Sequence, residues 1–459
     1  MGVRGRSAAA ALVEQQHVIT GGIEQAAMIG RYAAARPAMQ EDRGLGAGRA
    51  GPFPIEAVAI AYVNMTSGVG RRDEAKWGFD AMRTMKIMLG ALALILGVQG
   101  GNAKPAAPAT PKRLVIVDDD MIGLNGVPLL LLQSPDVEVL GITTTSGSVW
   151  RDTATAYALR TLEILGRTDV PVVPGATFPL LNSAEATKRW EGQYGRLVFK
   201  GPWTDYWPGD TIQEHPGSTD PTKVPDLPIG NPRTKPSAEI AAAFLVRMVK
   251  AHPGEITLFA TGPMTNIAIA QSLDPSFAAN VKEILYMGGS LAPHQVLEGP
   301  SAEQFAREFV NSPRREFNIR WDPEAAKIFA HAPWKKITMI PVDPSTGTQW
   351  TRTFLDGLKP AHTPLSELFQ TGLEQGYPMW DEIVAMAWLN PEIVTKDETL
   401  WVDFETSQTA AYGDTLSWTE SYRPHLGEQA QRVILSVDRA KMEAAMARLY
   451  MRPVGKAAK

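Results

Sequence analysis

From Pro111 onward the chain alternates between short apolar runs and longer stretches with helical spacing, and this alternation constrains the fold more than any other feature. The apolar runs have the length and the turn-forming ends of buried strands, while residues 153–165 carry apolar side chains at helical intervals. Strands that alternate with helices form a parallel sheet. The pattern predicts an α/β fold: a single large domain with an open, mostly parallel sheet and helices on both faces. The predicted strands are 113–117, 137–144, 170–173, 255–260 and 282–287.

Residues 183–236 interrupt this alternation. They are rich in Trp, Pro, Gly and Asp, and they predict a long excursion over the surface. Loops of this length are usually lids or disordered segments, and the sequence leaves both alternatives open.

Polar residues follow several of the predicted strands. Ligand sites in open parallel sheets lie at the carboxyl ends of the strands, so chemistry is expected where these residues meet. Trp380 and Asp381 add a further polar position at the head of the apolar helix 383–388. The clusters after strands are 118–120, 144–147, 261–266, 287–289 and 316–318.

Asp118, Asp119 and Asp120 form the most distinctive of these clusters. Three adjacent carboxylates repel one another unless a cation lies among them. Oxygen ligands without His or Cys favour a hard ion such as Ca²⁺ or Mg²⁺. The alternative is a solvated acidic turn that caps a helix.

Residues 256–268, which contain Thr261-Gly262-Pro263-Met264-Thr265-Asn266, closely resemble the signature of the inosine/uridine-preferring nucleoside hydrolases. Residues 281–289 and 316–326 resemble two further segments of that family. Weaker matches fall at 141–144, 171–175 and 402–405, in the family's order. The resemblance covers roughly residues 112–450.

The resemblance implies an open parallel α/β fold whose deep pocket holds one Ca²⁺. It also implies hydrolysis of the N-glycosidic bond of ribonucleosides to free base and ribose. Position by position, Asp120 corresponds to the general base that activates water, and Glu316 and Asn318 correspond to residues that bind the ribose hydroxyls. The positions that correspond to calcium ligands are Asp118, Asp120, the backbone carbonyl of Thr261, and Asp381.

The chain departs from the family pattern after Asp120. The family continues with Pro-Gly-x-Asp-Asp, whereas residues 121–126 are Met-Ile-Gly-Leu-Asn-Gly, so the paired acids are absent. The last calcium ligand of the motif falls on Leu124 or Asn125, and Asn125 could supply one neutral carbonyl oxygen. Loss of a carboxylate weakens the attraction for a divalent ion. Asp119 could compensate, but alternation along a strand directs its side chain to the opposite face.

Two further positions differ from the family. Its His-Asp pair is Trp380-Asp381 here, and the Asn expected after the second strand is Ser148. Trp380 could stack on the base or the sugar of a substrate, or it could simply pack against the apolar helix that follows.

Two other functions compete with nucleoside hydrolysis. The missing acids and the missing histidine favour a catalytically weakened relative that binds nucleosides or other pentosides. Residues 117–122 also resemble the nucleophile loop of a haloacid-dehalogenase-type phosphatase. The phosphatase hypothesis leaves the clusters at 261–266 and 316–318 unexplained, so it ranks last.

Composition limits the remaining classes. The 459 residues are 44% hydrophobic with a net charge of −4, which supports a sizeable core and argues against a nucleic-acid-binding protein. The absence of cysteine excludes disulfides, thiolate metal sites and a cysteine nucleophile. The resemblance implies a homo-oligomer with a small-molecule nucleoside substrate.

The first hundred residues predict export. Residues 85–103 combine a basic start, an apolar run and a small-residue end, which is the pattern of a signal peptide; a single anchor helix is the alternative. We therefore expect Met85 to be the biological start, residues 1–84 to be an upstream extension of low order, residues 104–459 to form the hydrolase-like domain, and the protein to be periplasmic or secreted.

Overall fold

A nine-stranded sheet forms the centre of the computed structural model, which describes residues 111–121, 126–197, 199–204, 218–292, 316–372 and 376–453. The strand order across the sheet is β3-β2-β1-β4-β5-β6-β9-β7-β8. The strands are β1 Arg113–Asp119, β2 Val137–Thr144, β3 Val172–Pro174, β4 Thr257–Ala260, β5 Glu283–Met287, β6 Ile337–Ile340, β7 Val394–Phe404, β8 Thr415–Trp418 and β9 Gln429–Val437.

The first seven strands in this order, from β3 across the sheet to β9, all pair in parallel. Strand β7 pairs antiparallel with both β9 and β8. The parallel strands therefore end along a common edge. In β1, Asp118 is paired with Thr143 of β2 and with Ala260 of β4, so three strand ends meet there. This is the edge at which open α/β sheets bind ligands.

Helices cover both faces of the sheet. The α-helices are α1 Gly126–Gln133, α2 Arg151–Ile164, α3 Ala184–Tyr194, α4 Ala241–Ala251, α5 Thr265–Leu273, α6 Phe277–Asn280, α7 Phe317–Trp321, α8 Pro323–His331, α9 Arg352–Leu358, α10 Pro364–Gly372, α11 Trp380–Leu389 and α12 Arg439–Tyr450. Short 3-10 turns lie at Gly201–Trp203, Asp343–Gly347, Lys359–Ala361, Pro391–Ile393 and Glu420–Tyr422.

Two hydrophobic clusters correspond to the two faces. Val115 and Val117 join the cluster formed with α1 and α11, whereas Ile116 between them joins the cluster formed with α4 and α5. This alternation follows from the two-residue period of a strand. The open, mostly parallel sheet with helices on both faces is confirmed, as are the five predicted strands, with ends displaced by up to two residues.

Two regions differ from the sequence expectations or lie beyond them. Residues 183–236 are not simply a loop, because the eleven-residue helix α3 lies within them and is capped by the side chain of Ser183. The predicted extension 1–84 and signal peptide 85–103 lie outside the described residues. Within the described part of the chain, no helix has the length and apolar character needed to cross a membrane.

Candidate active site

The three consecutive acids at the end of β1 are buried. Asp118, Asp119 and Asp120 expose 1%, 0% and 5% of their surfaces. The alternative of a solvated acidic turn is therefore wrong. Burial of three adjacent carboxyl groups is unfavourable unless hydrogen bonds, protons or a cation compensate the charge.

Asp118 faces the α4–α5 side of the sheet. Its Oδ1 accepts hydrogen bonds from Thr143 Oγ1 and from Asn266 Nδ2, the latter at 2.8 Å. Its Oδ2 is buried without a hydrogen-bond partner among the residues that the structure describes. Burial raises the pKa of Asp118 to about 7, although the bonds from Thr143 and Asn266 oppose the rise. The orphaned oxygen is a free acceptor for a cation or a donor.

Asp119 and Asp120 have different partners. Asp119 Oδ2 accepts a hydrogen bond from Thr261 Oγ1 at 2.7 Å, and Asp120 Oδ2 accepts one from the backbone N–H of Ser148. Burial, followed by the charge of Asp120, raises the pKa of Asp119 well above its usual range. Burial also raises the pKa of Asp120, against the bonds from Ser148.

Glycines leave room for Asp120. A Cβ on Gly147, in the turn after β2, would overlap the Asp120 carboxylate. A Cβ on Gly262, in the turn after β4, would lie 2.8 Å from the Asp120 backbone nitrogen. Both turns therefore approach Asp120 more closely than any residue with a side chain allows.

Glu316 and Asn318 lie on the short helix α7. Glu316 caps α7: its Oε1 accepts from Asn318 N at 2.8 Å, and its Oε2 accepts from Gly289 N at 3.0 Å. Burial raises the pKa of Glu316 to about 7 against these backbone bonds, and the charge of Asp120 adds to the rise. Asn318 donates to the carbonyls of Thr261 and Met287 at 3.0 Å and 3.3 Å.

Trp380 and Asp381 begin helix α11 and are both half-buried. The ring of Trp380 lies edge-on to that of Tyr377, with centroids 5.3 Å apart, and it packs against the hydrophobic cluster. The next residue, Glu382, is buried and close enough to Asp119 to raise its pKa. The head of α11 therefore lies beside the acids of β1.

The donor set partly fits a hard divalent cation. It consists of buried oxygens, one of them orphaned on Asp118, and the carboxyl groups raise one another's pKa. However, no three Asp, Glu or His side chains within the described residues converge as metal ligands do. The predicted ligand Asn125 lies outside the described residues. The oxygen atoms present are of the kind that Ca²⁺ prefers, but the described residues do not form a metal-binding group.

Sequence reasoning missed several members of the site. Asn266 bridges Asp118 and the carbonyl of Thr144, and Asp322 caps α8 from a fully buried position. Both lie within segments that resemble the family, and this position in the sequence could have marked them as candidate site residues. Glu382 carried no such signal, because an acid in the first turn of a helix is ordinary.

The open, mostly parallel sheet with buried acids at the carboxyl ends of its strands has the architecture of an α/β enzyme, which binds its ligand at that edge. The choice within that class comes from comparison with known proteins. The model of the inosine-uridine preferring nucleoside hydrolase family matches residues 115–444. The chain belongs to this family, and it is a hydrolase of N-glycosyl compounds that cleaves ribonucleosides.

Individual relatives agree with this assignment. Uridine nucleosidase 1 of Arabidopsis thaliana is 34% identical over 229 residues, which cover 50% of this chain and 56% of that protein. The pyrimidine-specific ribonucleoside hydrolase RihA of Shewanella woodyi is 26% identical over 342 residues, covering 72% and 95% of the two chains. A solved plant nucleoside hydrolase superposes with a TM-score of 0.56 at 24% identity, covering 75% and 100%, and supports the fold alone.

Proposed function

We propose that the chain hydrolyses ribonucleosides with Asp120 as the general base and with a bound Ca²⁺. The observation that carries this proposal is the position of Asp120 at the common edge of the sheet, buried among other acids. Burial raises its pKa, and a carboxylate with a raised pKa is a stronger base toward water. The bond from Ser148 N fixes one of its oxygens.

Departure of a nucleobase builds positive charge on the anomeric carbon and the ring oxygen of the ribose, as in glycoside hydrolysis. A site for this reaction needs negative potential beside the sugar, and the acids at the end of β1 together with Glu316 supply it. Hydrogen bonds to the ribose hydroxyls must also fix the ring. We assign this role to Glu316 and Asn318, with Trp380 as a side wall of the pocket.

Asp118, Asp120, Asp381, the carbonyl of Thr261 and the side chain of Asn125 would hold the calcium ion. When bound, Ca²⁺ supplies a positive charge that neutralises the acids and orients water and hydroxyl oxygens. The orphaned Oδ2 of Asp118 supports this assignment. The carbonyl of Thr261 accepts a hydrogen bond from Asn318 Nδ2, so a proposed calcium ligand is in contact with a proposed ribose-binding residue.

A catalytically weakened nucleoside-binding protein is the second candidate function. It is favoured by the absence of a converging ligand group among the described residues and by the neutral residues at 121–126. Calcium titration distinguishes the two functions. Absence of binding at micromolar Ca²⁺, combined with retained nucleoside binding, would favour the second.

The cellular context is also a proposal. The pattern of residues 85–103 supports export to the periplasm or beyond the cell, with residues 104–459 as the hydrolase domain. We also propose a homo-oligomer, in keeping with the family resemblance.

Release of free ribose from a panel of ribonucleosides, with and without chelator, tests the catalytic proposal. Uridine comes first, since the Arabidopsis relative is named for it. Ribose release that stops with chelator and returns with Ca²⁺ would support the proposal. Asp120→Asn should abolish turnover while preserving the fold, and undiminished turnover by this variant would exclude Asp120 as the base.

A further inference from the structure

Arg320 is a buried arginine on α7, the helix that carries Asn318. Only 5% of its surface is exposed. Burial lowers the pKa of its guanidinium to about 10, so the group remains charged at neutral pH. An arginine is seldom buried to this extent without a specific role.

Two aromatic rings from distant parts of the chain lie against this guanidinium. The ring of Trp190 in α3 lies 5.1 Å from it, and the ring of Tyr412, in the turn between β7 and β8, lies 4.8 Å from it. Gly413 follows with a left-handed φ of 87°, and a Cβ there would lie 2.9 Å from Arg320 Cδ. The backbone of the β7–β8 turn therefore packs directly on the arginine stem, and the guanidinium joins α3, α7 and this turn.

Stability alone does not account for a charge in this place. Nε and Nη2 of Arg320 are buried and have no hydrogen-bond partner among the described residues. Glu191, Glu324 and Asp414 attract the guanidinium from nearby. Buried charges with unsatisfied donors usually destabilise a fold relative to apolar residues of similar size. This arginine is therefore a candidate for a role other than stability.

Helix α7 needs support from outside itself. It has five residues, and a helix this short is not stable alone. Arg320 N donates to the carbonyl of Glu316 at 2.8 Å, which closes the single turn. Asn182 Nδ2 donates to the carbonyls of Arg320 and Trp321 at 3.3 Å and 3.1 Å. The site end of α7 is held by the Glu316 carboxylate, and the carbonyls at its far end accept hydrogen bonds from Asn182.

We propose that Arg320 is a positioning residue: clamped between the two rings, its guanidinium fixes α7 and thereby the orientation of Glu316 and Asn318. This inference rests on the proposed function, because those two residues are assigned to the ribose hydroxyls there. Small displacements of groups that orient a substrate lower the rate strongly, by about 100-fold for about 1 Å.

Arg320→Met tests the proposal in the full-length protein, since methionine fills similar space without charge or planar donors. We expect a melting temperature within a few degrees of the parent protein, faster amide exchange at residues 317–321, and a fall of about 100-fold in kcat/KM for ribonucleosides. Arg320→Lys keeps the charge but lacks the planar group, so we expect it to remain slow. If Arg320→Lys had the kcat/KM of the parent protein, the charge alone would account for the effect, and the proposal that the planar guanidinium fixes α7 would be wrong.

Arg113→Met is the matched control. Arg113 begins β1 and lies over the ring of Trp388, 3.8 Å from its centroid, remote from α7 in the sequence and at the opposite end of the strand from Asp118. Its replacement removes an arginine–indole contact of the same kind. We expect kcat/KM and the exchange at residues 317–321 to be unchanged.

Unchanged exchange at residues 317–321 in Arg320→Met would overturn the proposal, and so would a loss of rate that only accompanies a lower melting temperature. If Arg320→Met does not fold, Tyr412→Leu removes one ring of the clamp and should give the same exchange and rate effects. An inactive parent protein would refute the proposed function, while the exchange comparison would still decide whether Arg320 holds α7.

Discussion

Asn318 donates a hydrogen bond from Nδ2 to the backbone carbonyl of Thr261 across 3.0 Å. This contact joins α7 to the turn after β4, two elements separated by 57 residues in the chain. One amide group thus connects the candidate sugar-binding helix with a candidate metal-ligand carbonyl. A disturbance of either residue is transmitted directly to the other.

Asn318→Ala removes this connection and leaves two buried carbonyls, those of Thr261 and Met287, without the donor. A buried acceptor that loses its partner costs about 1–3 kcal/mol. We expect the free energy of unfolding to fall by about 2 kcal/mol in urea denaturation, and kcat/KM to fall at least tenfold. Asn390→Ala is the control, because that side chain donates to the exposed Glu392. Equal losses in the two variants would contradict this assignment.

Gly147→Ala should displace the proposed base. The added Cβ would overlap the Asp120 carboxylate, so either the turn after β2 or Asp120 must move. We expect kcat to fall by about 100-fold, as displaced catalytic groups do, with a circular dichroism spectrum like that of the parent. Gly192→Ala in helix α3 is the control: nothing lies within 4 Å of its Cβ position, and alanine is the better helix former there. Full activity of Gly147→Ala would contradict this prediction.

The sheet was predictable because strand and helix periodicities are local signals. Val115, Ile116 and Val117 alternate between the two hydrophobic clusters as a buried strand requires, and the pattern is visible in five consecutive residues. Strands β6 to β9 were not predicted. In the sheet β9 pairs with β6, and the antiparallel strand β7 lies between β9 and β8, so this order is set by contacts between segments distant in sequence.

The candidate site was predictable only where residues follow strands. Asp118, Thr261 and Glu316 could be singled out because each stands at an element boundary within a recognisable motif. Arg320 could not, because its proposed role depends on Trp190 and Tyr412, which reach it from 130 and 92 positions away. No local pattern marks such a long-range contact.

Calcium should stabilise the protein, because it would neutralise carboxylates that otherwise repel one another at the end of β1. A ligand at about 100 times its Kd adds about 2.7 kcal/mol to the free energy of unfolding. Differential scanning fluorimetry across a Ca²⁺ titration should show a saturable rise in Tm. Asp120→Asn should reduce the rise, whereas Glu398→Gln, an exposed acid of β7 paired with Lys396, should not. An unchanged Tm in the parent protein would count against a calcium site.

Asp322 gives stability a predictable dependence on pH. It caps α8 from a buried position and accepts bonds from Thr265, Leu180 and Ala325. Burial nevertheless raises its pKa from 3.8 to about 7. Between these values the folded state holds a proton that the unfolded state has released. This stabilising contribution is therefore complete below about pH 4 and is lost as the pH rises through about 7.

Asp322→Asn is neutral at every pH, so it should remove this part of the decline. The measurement is the free energy of unfolding in urea at pH 4 to 8 with chelator present. Asp322 should contribute at most about 1.4 kcal/mol per pH unit to the slope of this free energy against pH. Asp438 is the matched control: it also caps a helix, but it is partly exposed, and backbone donation from Lys441 holds its pKa below the usual range. The ionised form of Asp438 therefore stabilises the folded state above the usual Asp pKa. Asp438→Asn should lower the free energy of unfolding in that pH range, the opposite of the effect of Asp322→Asn. A profile for Asp322→Asn that parallels the parent protein would show that Asp322 is ionised in the folded state throughout this range.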